Sequence, residues 1–279
     1  MKTTAKQFRD NPNKSVTLLG MSGVGKTTFS SKLPSTTWYH YSGDYRIGTK
    51  YLDEPILDET KRIAMQNPRL RDLLLSDSIY IRNNITIDHL HPIACFLGKI
   101  CNPDLGGLSV EEFKRRQSLF RDAEIKSMED VAGFIDKSRN IYGYPHFLND
   151  AGGSICGLSD RECWDNLSQT TVILYLCASE EIENTLLERA KRKPKPMFYE
   201  SAFLDSHLEQ YIQEKNLRSV DDIDPDEFVQ WVFPALVNFR KPQYEHIADK
   251  YGHTIDAGKI SELRDEQDII DLICDSITT

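Results

Sequence analysis

The chain has 279 residues and carries 34 basic against 43 acidic side chains, a formal charge of −9. With 39% hydrophobic and 28% charged residues it is too apolar for a disordered chain, and its length suits one decorated core domain. The acidic balance argues against nucleic acid or an anionic membrane surface as the main partner. No run approaches the roughly 18 apolar residues of a membrane helix, and Met1 to Ser15 lacks an apolar signal core, so a cytoplasmic protein is expected.

Ser15–Leu19 is a short β-prone run that ends directly in Gly20-Met-Ser-Gly-Val-Gly-Lys-Thr-Thr28, and Phe29–Leu33 then reads as a short helix. Thr36–Tyr41 is β-branched and aromatic, and it opens into a loop at Ser42-Gly43-Asp44. Within the following stretch, Thr86–Ile100 carries an apolar stripe at helical spacing, and His89 and His91 fall on different faces of that helix, a poor metal pair. Ser109 with Glu112 forms a capping box, and Tyr144–Leu148 is a third strand leading into Asn149-Asp150-Ala151-Gly152-Gly153-Ser154. A second capping box, Ser159 with Glu162, precedes Thr171–Cys177, whose unbroken apolar run marks a strand covered on both faces. Phe203–Ile212 and Phe228–Phe239 read as an apolar-faced helical pair, the second opened by Asp224-Pro225, and His253–Asp256 is a fifth strand. The six cysteines lack zinc-ligand spacing and read as reduced thiols, mostly core filler, with Cys177 buried.

Strands alternating with helices imply right-handed crossovers and ligands at the carboxyl ends of the strands. The expected architecture is an α/β P-loop NTPase fold, a three-layer α/β/α sandwich on a five-stranded parallel sheet. It occupies residues 1–279 as one domain, with helical insertions at about 49–108 and 198–238, each longer than a crossover needs.

Gly20 to Thr27 fits GxxxxGK[ST] in the context that the chemistry requires, after a strand and before a helix. Glycines let backbone N–H groups turn toward phosphate oxygens, and the helix start offers further N–H groups to the same anion. The expected nucleotide-binding set is therefore Gly20, Ser22, Gly23, Val24, Gly25, Lys26, Thr27 and Thr28, with Lys26 on the β- and γ-phosphates and Thr27 on Mg²⁺. A guanine-reading NKxD motif is missing after Asn83-Asn84 and Asn216, and Asn149-Asp150 offers one acid where a motor ATPase pairs two.

Five further segments occur in a telling order: Asp44-Tyr-Arg-Ile47, Phe120-Arg121-Asp-Ala-Glu124, Ala151-Gly152-Gly153, the basic run Arg189–Lys195, and Arg240-Lys-Pro242-Gln-Tyr244 with Ala248-Asp249. In this the chain resembles shikimate kinases, small P-loop phosphotransferases that use ATP and Mg²⁺. The resemblance implies that Asp44 holds the acceptor hydroxyl and takes up its proton. It also implies that Arg121 and Arg240 clamp an anionic group of the acceptor, and that Gly152 and Gly153 approach it through backbone. Guanidinium forks suit a carboxylate, which agrees with an acidic acceptor. The basic run reads as a lid rather than a nucleic-acid patch, with Arg189 and Arg192 on the nucleotide and Arg192 beside Lys26 and Asp44 in catalysis. Ser42 stands where that family has an acid partner for magnesium, so Asp150 is expected to take over that role through water, the metal set being Thr27, Ser42 and Asp150.

The insertions serve either as walls of the acceptor pocket or as a homodimer or protein-partner surface. Two other functions stay open: an ATP-binding switch that acts through a protein partner, and a nucleoside or nucleotide kinase with Trp38, Tyr39 and Tyr41 stacking on the base.

Overall fold

The structure, a computed structural model, describes residues 3–157 and 161–278. In chain order its first half runs α1 (Ala5–Asp10), β1 (Ser15–Leu19), α2 (Lys26–Ser31), β2 (Trp38–Ser42), α3 (Gly43–Arg46), α4 (Asp53–Ala64), α5 (Pro68–Leu75), α6 (His91–Leu97) and α7 (Val110–Asn140). The remainder runs β3 (His146–Asp150), α8 (Arg161–Thr170), β4 (Val172–Cys177), α9 (Glu180–Arg192), α10 (Ser201–Lys215), α11 (Pro225–Tyr251), β5 (Gly252–Asp256) and α12 (Glu266–Thr278). None of the described helices is long and apolar enough to cross a membrane.

The chain divides into two compact units: residues 1–43, 124–194 and 230–279, and residues 44–123 with 195–229. The first holds the sheet, five parallel strands in the order β2-β3-β1-β4-β5. Successive residues send their side chains to opposite faces, so Phe147 and Ile173 enter one core with Tyr41, Trp164 and Tyr244, while Leu148 and Leu174 enter the other with Leu18, Phe29 and Ile273. Both faces are thus covered, which accounts for the apolar run of β4. This is the α/β P-loop type of sheet expected from the sequence.

The end of β3 differs from the sequence reading. β3 extends through Asn149 and Asp150, because Asp150 lies in register with Leu18 of β1 and Ser42 of β2. Asn149 is fully buried and donates to Thr17 Oγ1 at 3.2 Å, a long-range bond that lets an amide sit inside a sheet. Trp38 and Tyr41 are also buried, and Tyr39 lies among Phe134, Tyr142 and Phe147, so these rings build the core and are not free to stack on a base.

In the second unit Ile47, Leu52, Ile56, Ile93, Phe96, Phe120 and Phe198 share one core. The stretches set apart by the sequence at 49–108 and 198–238 supply most of this unit. The helix expected over Thr86–Ile100 is only α6, His91–Leu97: Pro92 fits a first helical turn and not an interior, and Thr86 pairs with His89 in a turn before it. Arg116 is buried and bonds Glu59, Glu112 and the Phe96 carbonyl. Glu112 therefore spends its carboxylate on Arg115 and Arg116, so only the Ser109 half of that capping box forms.

Asp224 caps α11 as expected, accepting from the N–H groups of Asp226 and Glu227. The helix continues through Pro234 and Pro242, so Arg240-Lys241-Pro242 lies inside a helix and is not a surface turn. No disulfide links the six cysteines; Cys101, Cys156, Cys163 and Cys274 are buried, Cys177 is only half-buried, and Cys95 is exposed. Ser159 of the second capping box lies outside the described residues.

Candidate active site

β1 delivers the chain to the carboxyl edge of the sheet, where Gly20, Gly23 and Gly25 turn with positive φ before α2 begins. The need for glycine is sharpest at Gly23, where an added Cβ would lie 2.7 Å from Arg189 Nη1. Arg189, in the last turn of α9, therefore rests directly on the loop backbone. The first backbone bond of α2 runs from Phe29 N–H to the Gly25 carbonyl. Among the described residues, the N–H groups of Ser22, Gly23, Gly25, Lys26, Thr27 and Thr28 meet no hydrogen-bond acceptor. Six orphan donors around one short loop, with a lysine at its end, form an anion cradle. Lys26 Nζ donates to the Gly20 carbonyl at 2.8 Å, so its charge rests on the loop.

Asp150 ends β3 beside this loop, opposite Ser42 in register, and His40 Nε2 lies 3.9 Å from its carboxylate. Thr27 is exposed in the first turn of α2. His40 was not singled out in the sequence; its place two residues before Ser42, on the same face of β2, is the signal that could have found it.

The Gly152-Gly153 turn packs on the phosphate loop, since a Cβ at Gly153 would lie 2.9 Å from the backbone nitrogen of Ser22. The Gly153 carbonyl accepts from Arg240 Nη1 at 2.9 Å and from Tyr244 Oη at 3.0 Å. Burial pushes the Tyr244 phenol well above its ordinary range, which keeps it a proton donor to that carbonyl. Ser154 donates to the fully buried Glu124 at 2.7 Å. Arg240 is itself buried, on the same helix as Tyr244. This buried group shapes the turn beside the phosphate loop, and the FRxxE glutamate belongs to it. Arg189 and Arg192 line a broad, open cleft of about 960 Å³ along α9 with Ser179, Asn184 and Lys193.

The second unit holds the other expected acceptor residues. Asp44 is half-buried on α3, which widens into a π-type turn over Ile47–Tyr51. Arg121 lies on α7 with its guanidinium 5.7 Å from the centre of the Phe198 ring, in the wall of a cavity of about 390 Å³. The first unit thus brings together Gly20 to Thr28, Ser42, Asp150, Gly152, Gly153, Arg189, Arg192 and Arg240; Asp44 and Arg121 belong to the second.

A parallel sheet whose central strand ends in a glycine-rich GxxxxGK[ST] loop defines the α/β P-loop class. No protein-family model matches the chain, and no curated protein matches it either. Among solved structures it is similar to shikimate kinase from Bacteroides thetaiotaomicron, at 15% identity over 93% of this chain and 94% of that one, with a TM-score of 0.38. The class assignment rests on this chain's own sheet and loop.

Proposed function

We propose that the protein is an ATP-dependent phosphotransferase that moves the γ-phosphoryl group to a hydroxyl of a small anionic metabolite. The observation that carries this reading is the cradle of orphan N–H groups from Ser22 to Thr28, closed by Lys26. The residues present fit a nucleotide triphosphate and a hard cation. The loop would hold the phosphates, and Thr27 and Asp150, with Ser42 beside it, would hold Mg²⁺ through oxygen donors. Bound there, the metal neutralises charge on the phosphate oxygens.

The chain's own residues do the rest. Lys26 leaves the Gly20 carbonyl for the phosphates, and Arg189, already against Gly23, adds positive charge where the transferring group spreads its own. Arg192 lines the cleft next to it. Asp44 orients the acceptor hydroxyl and accepts its proton, and Arg121 holds the acceptor's anionic group. Arg240, bonded to the Gly153 carbonyl, acts by positioning the glycine turn, so its part in acceptor binding is indirect.

ADP release measured with and without a panel of hydroxylated acids and nucleosides tests this reading, with Lys26→Ala as control. Acceptor-dependent release that disappears in the control supports it. Tight MgATP binding without stimulation by any acceptor counts against it. That second outcome favours an ATP-dependent switch, for which the exposed side chains Ile63, Leu75 and Tyr80 of the second unit offer a partner surface. Deleting residues 203–238 is no test of such a switch, because Phe203, Tyr211 and Phe228 are core side chains. Charged substitutions at Leu75 and Tyr80 with a nucleotide-dependent capture assay are.

A further inference from the structure

β2 and β3 lie side by side with His40 opposite Leu148 and Ser42 opposite Asp150. Residues two apart in a strand share a face, so His40, Ser42, Leu148 and Asp150 all stand on one side of the sheet. Leu148 shares a core with Phe29 of α2, which makes this the side that α2 covers, and α2 is the helix that begins with Lys26 and Thr27. His40 is thereby the diagonal cross-strand neighbour of Asp150, within reach of its side chain.

Neither side chain is satisfied. The half-buried Asp150 carboxylate accepts no hydrogen bond among the described residues, and the group of opposite potential charge beside it is His40 Nε2, at 3.9 Å. His40 Nε2 is itself buried and has no hydrogen-bond partner. A buried nitrogen without a partner and a carboxylate without a donor each cost free energy, and here the two face one another about 1 Å beyond hydrogen-bond length. The terminal torsion of an aspartate is broad, so a small turn of the Asp150 carboxylate closes the gap.

Of Thr27, Ser42 and Asp150, the first two bring hydroxyls and only Asp150 brings a charge. A single carboxylate that turns freely holds a hard cation less well than one whose second oxygen is fixed by a donor. A neutral imidazole with its proton on Nε2 is such a donor.

We propose that His40 is a positioning residue for the cation site: its Nε2–H bonds one oxygen of the Asp150 carboxylate and so aims the other oxygen at the cation. This rests on the metal set of the phosphotransfer reading and not on the identity of the acceptor.

Binding of Mn²⁺, a paramagnetic stand-in for Mg²⁺, tests it. Protein-bound Mn²⁺ is titrated by electron paramagnetic resonance on the full chain with one equivalent of a non-hydrolysable ATP analogue. The proteins compared are the wild type, His40→Leu, His40→Gln, Asp150→Asn and the double variant of His40→Leu with Asp150→Asn. His40→Leu should weaken Mn²⁺ binding about tenfold, while the affinity for the analogue without metal stays at the wild-type value. His40→Gln keeps an N–H donor and should recover part of the loss. Against Asp150→Asn, the further change His40→Leu should weaken Mn²⁺ no more, because no carboxylate is left to aim. Unchanged Mn²⁺ affinity in His40→Leu, a full loss that persists in the Asp150→Asn background, or an equal loss of metal-free analogue affinity overturns the proposal. A wild type that binds the analogue but no Mn²⁺ removes the cation site and the phosphotransfer reading with it. Loss of Mn²⁺ in Asp150→Asn but not in His40→Leu removes only the part assigned to His40. ADP release that no acceptor stimulates, beside the expected Mn²⁺ losses, removes the kinase reading and leaves His40 in its place.

Discussion

Gly153 sits so close to Ser22 that a single methyl group on it would reach within 2.9 Å of the Ser22 backbone nitrogen. Backbone cannot yield as a flexible side-chain end does, so Gly153→Ala must displace the phosphate loop. We expect a rise in the nucleotide KM of about tenfold or more, with little change in thermal stability. Steady-state kinetics or nucleotide titration, beside a melting curve, checks it.

The two donors on the Gly153 carbonyl, Arg240 and Tyr244, share one acceptor and are expected to be energetically coupled. Tyr244→Phe and Arg240→Met should each destabilise, and the double variant should depart from additivity by about 1 kcal/mol. Urea denaturation of the four proteins measures the coupling. Additive losses would show that the two bonds act independently.

Arg116 is the buried centre of a charge network with Glu59 and Glu112. Arg116→Met leaves two carboxylates without their buried cation, at a cost of about 3 kcal/mol. The hydrogen bonds from Arg115 and then Arg116 pull the Glu112 carboxyl well below its ordinary range, to about 2, and Arg62 and Arg116 lower Glu59 as well. A carboxyl depressed in the folded state stabilises above its unfolded value, and that stability fades as the pH falls toward its folded one. Stability should therefore decline between about pH 5 and about pH 2, and Glu112→Gln should flatten the decline. Denaturation midpoints at stepped pH decide this.

Of the six thiols, Cys95 is the exposed one, with His91 Nε2 3.2 Å from its sulfur. A neutral alkylating agent should add a single group quickly to the folded protein, and Cys95→Ser should remove that adduct. Intact-mass measurement reads both. Fast labelling at any of Cys101, Cys156, Cys163 and Cys274 would contradict the packing described for them.

Local signals carried far in this chain. The phosphate loop, the apolar run of β4 and the Asp224 cap are written in neighbouring residues, and each is where the sequence puts it. The errors lie where distant partners decide. Asn149 and Asp150 look like loop residues until Thr17, Leu18 and Ser42 are placed beside them. Pro242 looks like a turn, yet the buried residues on either side of it, Arg240 and Tyr244, hold the helix on course. The stripe over Thr86–Ile100 has helical spacing, but Pro92 confines the helix to its second half. Arg121 was singled out in the sequence, and it lies in the wall of the cavity of about 390 Å³. Glu200 was not, because nothing in its own neighbourhood in the sequence sets it in the wall of the same cavity.

The strand order has a consequence for how the protein is made. β1 leaves the ribosome early, yet its sheet partners begin about 130 residues later at Phe147 and about 155 later at Val172. At about 5–20 residues per second, an apolar strand waits unpaired for roughly 7 to 26 seconds of synthesis before its first partner is made. During that interval the nascent chain exposes a sticky edge with nothing of its own to cover it, so its yield in a cell should depend on chaperone supply more steeply than its finished stability implies.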